Sequence, residues 1–301
     1  MIKLNLYNET KYIMKKYNIS AAKRLGQNFL IDDEVVTNIV EAANITKEDT
    51  IIEIGPGLGT LTKELLERAG RVVCIELDER MVEILKDRFS QYTNFELIND
   101  DVLKVDLKTI IKNNVGADDP VCPNTIQNKL KNTKIVANLP YYITTPIIMK
   151  LLEDKLNIQS ITVMIQKEVA SRLVAEAGGN DSGAITYGIR YYTNPTRVVE
   201  VSREAFLPAP EVDSTVIKLD ILEKPPVEVE SEELLFKIIK ASFMQRRKTL
   251  LNCLANSNIL KNKEEIENML SKLGFDLRIR GEKLSLNDFA KISNYVQNID
   301  K

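Results

Sequence analysis

Short apolar runs alternate with amphipathic segments along most of the chain. The runs TIIEI at 50–54, VVCIEL at 72–77 and FELIN at 95–99 have the length and the β-branched content of buried strands. Between them, TLTKELLERA and ERMVEILKDRF repeat their apolar residues at helical spacing. This alternation predicts an α/β fold with a parallel sheet covered by helices on both faces.

The alternation continues as far as a proline-containing linker. KIVANL, ITVMIQ, VVEVS and TVIKLDI are further predicted strands, and helices are predicted from about Thr145 and over KEVASRLVAE. EKPPVEVES predicts the linker, and the later patterns are helical only, with a Ser285–Asp288 capping pair before LNDFAKISNYV. We therefore predict an extension over 1–22, a main domain over 23–222 and a small helical domain over 223–301.

Composition excludes several kinds of chemistry. The 301 residues include no histidine, which removes the commonest general base, the Ser-His-Asp and Cys-His systems and most transition-metal sites. The three cysteines are widely spaced and predict neither a disulfide framework nor a zinc site. No apolar run is long enough to span a membrane, and the first residues lack the apolar block of a signal peptide. We expect a cytoplasmic protein without a metal.

Charge is distributed unevenly along the chain. The net charge of −2 does not by itself predict a nucleic-acid partner. Residues 1–31, however, hold six basic side chains and one acidic side chain, so a basic arm precedes an acidic body. The polar stretch between Leu107 and Lys134 is long for a connection within a compact sheet, and we interpret it as a surface excursion without chemistry.

A glycine-rich turn follows the first predicted strand. EIGPGLGT at 53–60 places Gly55, Gly57 and Gly59 between a strand and a helix, where backbone N–H groups can approach a ligand closely. A dinucleotide site prefers the spacing G-x-G-x-x-G. Here Thr60 follows the third glycine, which favours a ligand without a pyrophosphate.

Two acidic residues stand at the ends of the next two strands. Glu76 can accept both hydrogen bonds from a ribose diol, and Asp101 can accept a bond from an adenine amine. With the glycine turn, these strand ends predict an adenosine pocket. The alternative is that the glycines only form a tight turn and that the acids are solvated.

The fourth strand ends in VANLPYYITTP at 136–146. Beside an adenosine pocket, this pattern suits methylation of an exocyclic amine, whose delocalised lone pair requires acceptors that hold its N–H groups out of the ring plane. Asn138 and the Leu139 carbonyl are the predicted acceptors, Pro140 adds no competing N–H, and Tyr141 offers a face for base stacking. The alternative is a strand ended by Asn and Pro with two tyrosines in a core.

Several motifs together resemble one family. KRLGQNFLID (23–32), EIGPGLGT, NLPYYITTP, AFLPAPEVDSTV (205–216), SFMQRRKTLLN (242–252) and LGFDLRIRGEKLSLNDFAKIS are similar to the KsgA family, the small-subunit ribosomal RNA adenine dimethyltransferases. The resemblance covers the chain from about Lys23 to about Ser293. It implies a class I (Rossmann-like) methyltransferase fold, S-adenosyl-L-methionine as donor, and N6,N6-dimethylation of two adjacent adenines in a hairpin loop near the 3′ end of 16S rRNA.

The same resemblance implies roles for individual residues and partners. Asn28 and Leu30 would cover the cofactor, Asn138 would meet its reacting edge, and Phe206 would help to sandwich the target base. Gly55, Glu76 and Asp101 would bind the cofactor as predicted above. The implied partner is 16S rRNA in the small ribosomal subunit or its precursor, bound by a monomer with a role in subunit biogenesis. The extension before residue 23 and the 107–134 stretch are longer than the family pattern requires.

A basic surface is predicted beyond the linker. If one helix runs through SFMQRRKTLLN, its basic face carries Lys237, Lys240, Arg247 and Lys248, and its apolar face carries Phe236, Ile239, Phe243, Leu250 and Leu254. Arg246 projects onto the apolar side, and we expect it to pair internally. We interpret the basic face as an RNA contact, with an ordinary solvated face as the alternative.

Three other functions share some of these sequence features. An Erm-type methyltransferase of large-subunit RNA shares the QNF, glycine and N-[LI]-P-Y features, but QRRKTLLN and RGEKLSLNDFA favour the KsgA family. A binding or assembly factor with dispensable catalysis would not need the intact N-L-P-Y quartet. An NAD-dependent dehydrogenase is disfavoured by the glycine spacing and by the lack of an evident acid for hydride transfer.

Overall fold

The computed structural model describes residues 5–21, 27–112, 132–179, 181–245, 247–257, 259–260 and 262–299. The chain divides into two compact units. The first, which we call the sheet unit, comprises Met1–Ala170 and Thr196–Ile221. The second, the helical unit, comprises Ser171–Pro195 and Leu222–Lys301.

Helices and strands alternate through the sheet unit, and helices dominate the helical unit. In chain order the elements are α1 (Leu6–Lys16), β1 (Phe29–Leu30), α2 (Asp33–Ala43), β2 (Thr50–Ile54), α3 (Thr60–Arg68), β3 (Arg71–Glu76), α4 (Glu79–Phe89), β4 (Phe95–Asn99), α5 (Leu107–Lys112), β5 (Thr133–Asn138), α6 (Thr144–Glu153), β6 (Ser160–Gln166), α7 (Lys167–Val174), α8 (Ala184–Tyr192), β7 (Thr193–Val201), β8 (Phe206–Leu207), β9 (Ser214–Ile221), α9 (Glu232–Phe243), α10 (Leu250–Ala255), α11 (Lys263–Lys272) and α12 (Leu286–Ile299).

A seven-stranded sheet forms the centre of the sheet unit, in the order β4-β3-β2-β5-β6-β9-β7. The strands from β4 to β6 run parallel, and β9 is antiparallel to β6. Ile52 pairs with Val73 on one side and with Ile135 on the other, and all three are fully buried. Ile51 and Ile52 are consecutive in β2 and therefore point to opposite faces, and both are fully buried. The sheet is thus covered on both faces, which confirms the predicted α/β fold.

A second, two-stranded ladder connects distant parts of the sheet unit. β1 pairs antiparallel with β8, so Leu30 lies opposite Phe206 and Phe29 lies opposite Leu207. Phe29, Leu30 and Phe206 are buried. The QNFL and AFLPAP motifs, which belong to opposite ends of the unit's sequence, are therefore neighbours in the fold.

The helical unit includes a segment that the sequence placed in the main domain. Residues 171–195 cluster with the chain after residue 222 because Tyr187 and Tyr191 of α8 are buried in its apolar core. The Tyr187 hydroxyl donates to the Leu284 carbonyl at 2.6 Å, and its ring meets Phe289 edge-on at 5.0 Å between centroids. The sequence did not predict α8, whose pattern includes three tyrosines and a glycine.

The capping pair predicted before the last helix is confirmed. The backbone N–H and the hydroxyl of Ser285 donate to Asp288 Oδ2 at 2.9 and 2.7 Å, and the Asp288 N–H donates to Ser285 Oγ at 3.2 Å. These bonds satisfy donors that a helix start leaves unpaired.

Two sequence features fall largely outside the described residues. They are residues 22–26 of the basic arm, which include Lys23 and Arg24, and the 107–134 stretch, of which α5 and the start of β5 are described. Within the described residues, no helix has the length and apolar character needed to cross a bilayer. The same residues contain no group of three or more acidic, cysteine or histidine side chains placed to hold a metal.

Candidate active site

A cavity in the sheet unit opens where β2, β3, β4 and β5 end. We call Asn138, Leu139, Pro140 and Tyr141 the reacting quartet. These four residues, every residue predicted to bind the cofactor, and Phe206 all line the cavity. They are Asn28, Leu30, Gly55, Glu76, Asp101, Asn138, Leu139, Pro140, Tyr141 and Phe206. The carboxyl ends of parallel strands share one edge of a sheet, which brings these separated positions together.

The glycine turn after β2 forms one wall of this cavity. Gly57 has φ 58°, in the left-handed region, and its N–H donates to Glu76 Oε2 at 3.1 Å. Gly59 is required for a different reason. At φ 80° it caps α3, and a Cβ there would lie 2.5 Å from the Phe89 ring. Gly57 therefore shapes the ligand wall, whereas Gly59 allows α3 to pack against α4.

Glu76 is a buried carboxylate of the cavity with both oxygens hydrogen-bonded. It is 7% exposed, and its Oε1 accepts the Asp78 N–H at 2.9 Å while Oε2 accepts the Gly57 N–H. Burial raises the pKa of Glu76, and the two backbone donors oppose that change. Each carboxylate oxygen has a second lone pair, so the group can still accept two hydroxyl donors such as a ribose diol.

Asp101 lies after β4 beside the apolar Val102, and both line the cavity. The Leu103 N–H donates to Asp101 Oδ1 at 3.0 Å, which orients the carboxylate. Together, a fixed buried carboxylate, a second acidic acceptor and apolar walls have the chemistry needed to hold the ribose and base of an adenosine-containing ligand.

Glu53 is a cavity residue that sequence reasoning missed. It is 2% exposed, and burial raises the pKa of Glu53 to about 7. The Cys74 thiol donates to Glu53 Oε2 at 3.3 Å. The sequence did contain a signal for Glu53, because an acidic residue stands among the isoleucines of β2, close to the glycine turn.

Gln27 and Asp78 were also missed. Gln27 Nε2 donates to Asp78 Oδ2 at 2.8 Å, and Asp78 caps α4 by accepting the Arg80 N–H at 3.1 Å. The Arg80 guanidinium lowers the pKa of Asp78. This contact fastens the segment before β1 to the start of α4, and Gln27 lines the cavity next to Asn28.

Asn138 is the last residue of β5, and its amide is oriented from one side. Its Nδ2 donates to the Asn28 carbonyl at 3.5 Å, a long bond. With the nitrogen engaged there, Oδ1 is the side-chain atom that can accept a bond from an amine. The Leu139 N–H donates to the Met164 carbonyl at 3.1 Å, and the Pro140 carbonyl accepts from Thr144 Oγ1 at 3.0 Å. The quartet's backbone is thus held from β6 and from α6.

Aromatic side chains stand beside this quartet. The Tyr141 hydroxyl bonds to Ser214 Oγ at 2.6 Å, and burial raises the pKa of Tyr141, so the phenol stays neutral. Phe206 is only 3% exposed. Tyr142, which the sequence prediction did not include, also lines the cavity and is 55% exposed.

The predicted basic residues do not lie on one continuous helix. α9 ends at Phe243 and α10 begins at Leu250, with Thr249 as its N-cap, so the predicted helix through SFMQRRKTLLN is wrong. Lys237 and Lys240 lie on α9, whereas Arg247 and Lys248 lie in the connecting turn; all four are exposed. We call these four the basic quartet. Arg246 lies outside the described residues.

Comparisons with known proteins converge on one family. The sequence model described as "Ribosomal RNA adenine dimethylase" matches residues 18–298. A Clostridium botulinum (strain Kyoto) protein named "Ribosomal RNA small subunit methyltransferase A" is 48% identical over 96% of this chain and 99% of its own length. A Clostridioides difficile protein of the same name is 45% identical, with 98% of each chain covered.

Solved structures agree with this fold. A dimethyladenosine transferase from Plasmodium falciparum has a TM-score of 0.71 at 27% identity, with 88% of this chain and 95% of that chain covered. The 23S rRNA methyltransferase ErmE has a TM-score of 0.65 at 23% identity, with 91% and 100% covered, and shows the fold alone. The predicted class I methyltransferase fold is confirmed.

Proposed function

The chain belongs to the ribosomal RNA adenine dimethylase family, and on that premise we propose that it dimethylates two adjacent adenines in the 3′-terminal hairpin loop of 16S rRNA. It is an S-adenosylmethionine-dependent rRNA adenine dimethyltransferase, and the small-subunit function is preferred to the Erm-type alternative. The observation that carries the proposal is the shared cavity: the Asn138 amide and the Glu76 carboxylate line one site.

Binding and orientation are the tasks of the residues around this cavity. S-adenosylmethionine supplies an electrophilic methyl group when bound. Glu76 would hold its ribose, Asp101 would hold its adenine amine, and Asn28, Leu30 and Gly55 would enclose it. Leu30 and Phe206, which are buried and pair in the β1–β8 ladder, give that side of the cavity an apolar wall.

The reacting quartet then positions the target amine. Asn138 Oδ1 and the Leu139 carbonyl accept its two N–H groups, and Pro140 offers no competing donor. Stacking on Tyr141 contributes about 1 to 3 kcal/mol per base. Asn138 Oδ1 and the Leu139 carbonyl are not bases, and the methylated nitrogen is acidic enough to release its proton to water without a general base. Positioning supplies most of the rate enhancement.

The basic quartet is the surface that we propose binds RNA. Its four exposed cations make no ion pair with another described residue, so their charge is available to phosphates. The substrate is 16S rRNA within the small subunit or its precursor, and the enzyme acts as a monomer.

A labelling experiment tests the proposal. Undermethylated small subunits and, separately, large subunits are incubated with the protein and labelled S-adenosylmethionine, and the label is mapped by nucleotide. We expect two adjacent adenines of the 16S 3′ hairpin to be labelled and the large subunit to stay unlabelled. Label on 23S rRNA alone would establish the Erm-type activity instead.

A further inference from the structure

Helix α1 (Leu6–Lys16) ends before residue 18, where the family match begins. It is nevertheless packed on the sheet unit. Ile13 is 5% exposed and belongs to an apolar cluster with Phe29 and Leu58. The Leu6 N–H donates to Asp33 Oδ2 at 3.1 Å, at the start of α2. Helix α1 therefore contacts residues adjacent to the cavity, and Leu58 belongs to the glycine turn itself.

Glu9 is the polar centre of this contact. Its Oε1 lies 2.7 Å from Arg88 Nη2 and its Oε2 lies 3.3 Å from Lys63 Nζ. The Arg88 side chain is only 12% exposed, compared with 36% for Lys63. Burial lowers the pKa of Arg88 and Glu9 opposes that effect, so the guanidinium remains charged. The pair with Arg88 is thus shielded from water, whereas the pair with Lys63 is more open.

Arg88 connects Glu9 to the glycine turn. Its Nη1 donates to the carbonyl of Leu58, which lies between Gly57 and Gly59 and is 1% exposed. A buried carbonyl without a donor would cost about 1 to 3 kcal/mol. The guanidinium therefore satisfies the turn and Glu9 at the same time, using its two terminal nitrogens.

The inner side of the same turn faces the cavity. There the Gly57 N–H donates to Glu76 Oε2 at 3.1 Å. Arg88 thus holds one residue of the turn from the side of α1, and the preceding residue of the same turn is bonded to the acid that would bind the ribose.

We propose that α1 is a positioning element of the cofactor site: Glu9 orients Arg88, Arg88 fixes the Leu58 carbonyl, and the glycine turn is thereby held in its binding shape before the cofactor arrives. Glu9 and Arg88 are positioning residues. This inference rests on the proposed function, because it takes S-adenosylmethionine as the ligand of the cavity. A preorganised turn improves affinity by lowering the cost of ordering on binding.

The alternative is that α1 only adds apolar packing. The two roles predict different effects of a polar substitution at Glu9 on cofactor binding. Glu9→Gln keeps the size of the side chain and the apolar contacts of α1, but removes the charge that holds Arg88. The matched control is Lys63→Met, which removes the other partner of Glu9 and leaves the Arg88 pair in place.

Three measurements are made on each variant of the full chain. They are the calorimetric affinity for S-adenosylhomocysteine, the hydrogen exchange of the amides at 57–62 without ligand, and the separate kcat and KM values for S-adenosylmethionine. For Glu9→Gln we expect roughly threefold to tenfold weaker binding, as for loss of about one charge-assisted hydrogen bond. The turn amides would exchange faster and KM would rise, with kcat unchanged because the quartet after β5 is untouched.

Lys63→Met is expected to match the parent in all three measurements. Arg88→Lys keeps the positive charge, but a lysine has one terminal nitrogen and cannot bond to Glu9 and the Leu58 carbonyl as the guanidinium does. We therefore expect it to weaken binding as Glu9→Gln does.

Unchanged affinity and unchanged exchange in Glu9→Gln would overturn the proposal, even if its melting temperature fell, because packing alone would explain that result. A fall in kcat with unchanged affinity would overturn it as well. If the parent itself bound no S-adenosylhomocysteine, the proposed function would fail. The exchange contrast between Glu9→Gln and Lys63→Met would still decide whether α1 holds the turn.

Discussion

The cavity of the sheet unit and the basic quartet of the helical unit use polar groups in opposite ways. In the cavity the groups proposed to bind or react are held by hydrogen bonds: Glu76 by two backbone amides, Asn138 by Asn28 and Tyr141 by Ser214. The cations of the basic quartet are exposed, and none forms an ion pair within the part of the chain that the structure describes.

This difference suits the role proposed for each region. Methyl transfer depends on atoms held within fractions of an ångström, so the protein orders the groups in advance. Attraction of phosphates depends on charge and falls off with salt, and mobile cations suffice for it. Substitutions in the cavity are therefore expected to act through geometry, and substitutions in the basic quartet through charge alone.

Asn138→Ala is the largest expected effect. Loss of one preorganised group that acts on the transition state lowers the methylation rate by about two to three decades. RNA binding is expected to change little. Asn138→Asp keeps an oxygen acceptor but loses the donor to the Asn28 carbonyl, so it is expected to lose less activity than Asn138→Ala without reaching the parent. Single-turnover rates of Asn138→Ala equal to those of the parent would refute this account of amine activation.

Glu76→Ala is expected to weaken S-adenosylmethionine binding by roughly 1.5 to 3 kcal/mol, or one to two decades. The substitution removes the diol acceptor and also the acceptor of the Gly57 N–H. Glu76→Gln, which retains one oxygen and the side-chain shape, is expected to bind more tightly than Glu76→Ala. Calorimetric titrations of both variants measure this difference, and parental affinity in Glu76→Ala would remove the residue from the site.

The buried Glu53 is expected to make the free energy of unfolding depend on pH. The pKa of about 7 in the folded protein exceeds the usual 4.5, so between these values the folded protein holds a proton that the unfolded chain has released. Stability therefore falls as pH rises from about 4.5 to about 7. Glu53→Gln removes that loss, and we expect its unfolding free energy at pH 8 to exceed the parent's by about 1 to 2 kcal/mol.

Urea unfolding at pH 5 and at pH 8 measures the contribution of Glu53. At pH 5 the parent and Glu53→Gln are expected to be nearly equal in stability, because the parent carboxyl is then largely protonated. Glu83→Gln alters an exposed acid of α4 and serves as the control. The same pH dependence in the parent and in Glu53→Gln would show that Glu53 is ionised throughout.

Two double charge reversals test the role of the basic quartet in RNA binding. Arg247→Glu with Lys248→Glu is expected to weaken small-subunit binding about tenfold or more and to lower its salt slope by about one to two units. S-adenosylmethionine affinity would be unchanged. Lys237→Glu with Lys240→Glu tests α9 separately, since the two pairs lie on different elements. Parental binding by both reversals across a salt series would place the RNA contact elsewhere, most simply on the N-terminal arm.

The fold was predictable from the sequence, and the residues predicted for the site line one cavity for an identifiable reason. Glu76, Asp101 and Asn138 each end or follow a strand, and parallel strands bring such positions to one edge. Phe206 could be assigned only by resemblance, because nothing in AFLPAP itself reveals its pairing opposite Leu30.

The remaining features depend on tertiary contacts that periodicity does not report. The assumption of one continuous helix failed at Thr249, whose capping hydroxyl begins a new helix. Tyr187 belongs to the helical unit, where its hydroxyl donates to the carbonyl of Leu284, 97 residues later in the chain. The raised pKa of Glu53 arises from burial, which depends on the whole fold.

The ladder between β1 and β8 also has a consequence for biosynthesis. It pairs Leu30, made early in translation, with Phe206, which emerges only after most of the sheet unit. Contacts between segments so distant in sequence form late, because closing a long loop is entropically costly. A nascent chain that already displays the glycine turn therefore still lacks one wall of its pocket. We expect the enzyme to gain its affinity for cofactor only once residue 207 has left the exit tunnel.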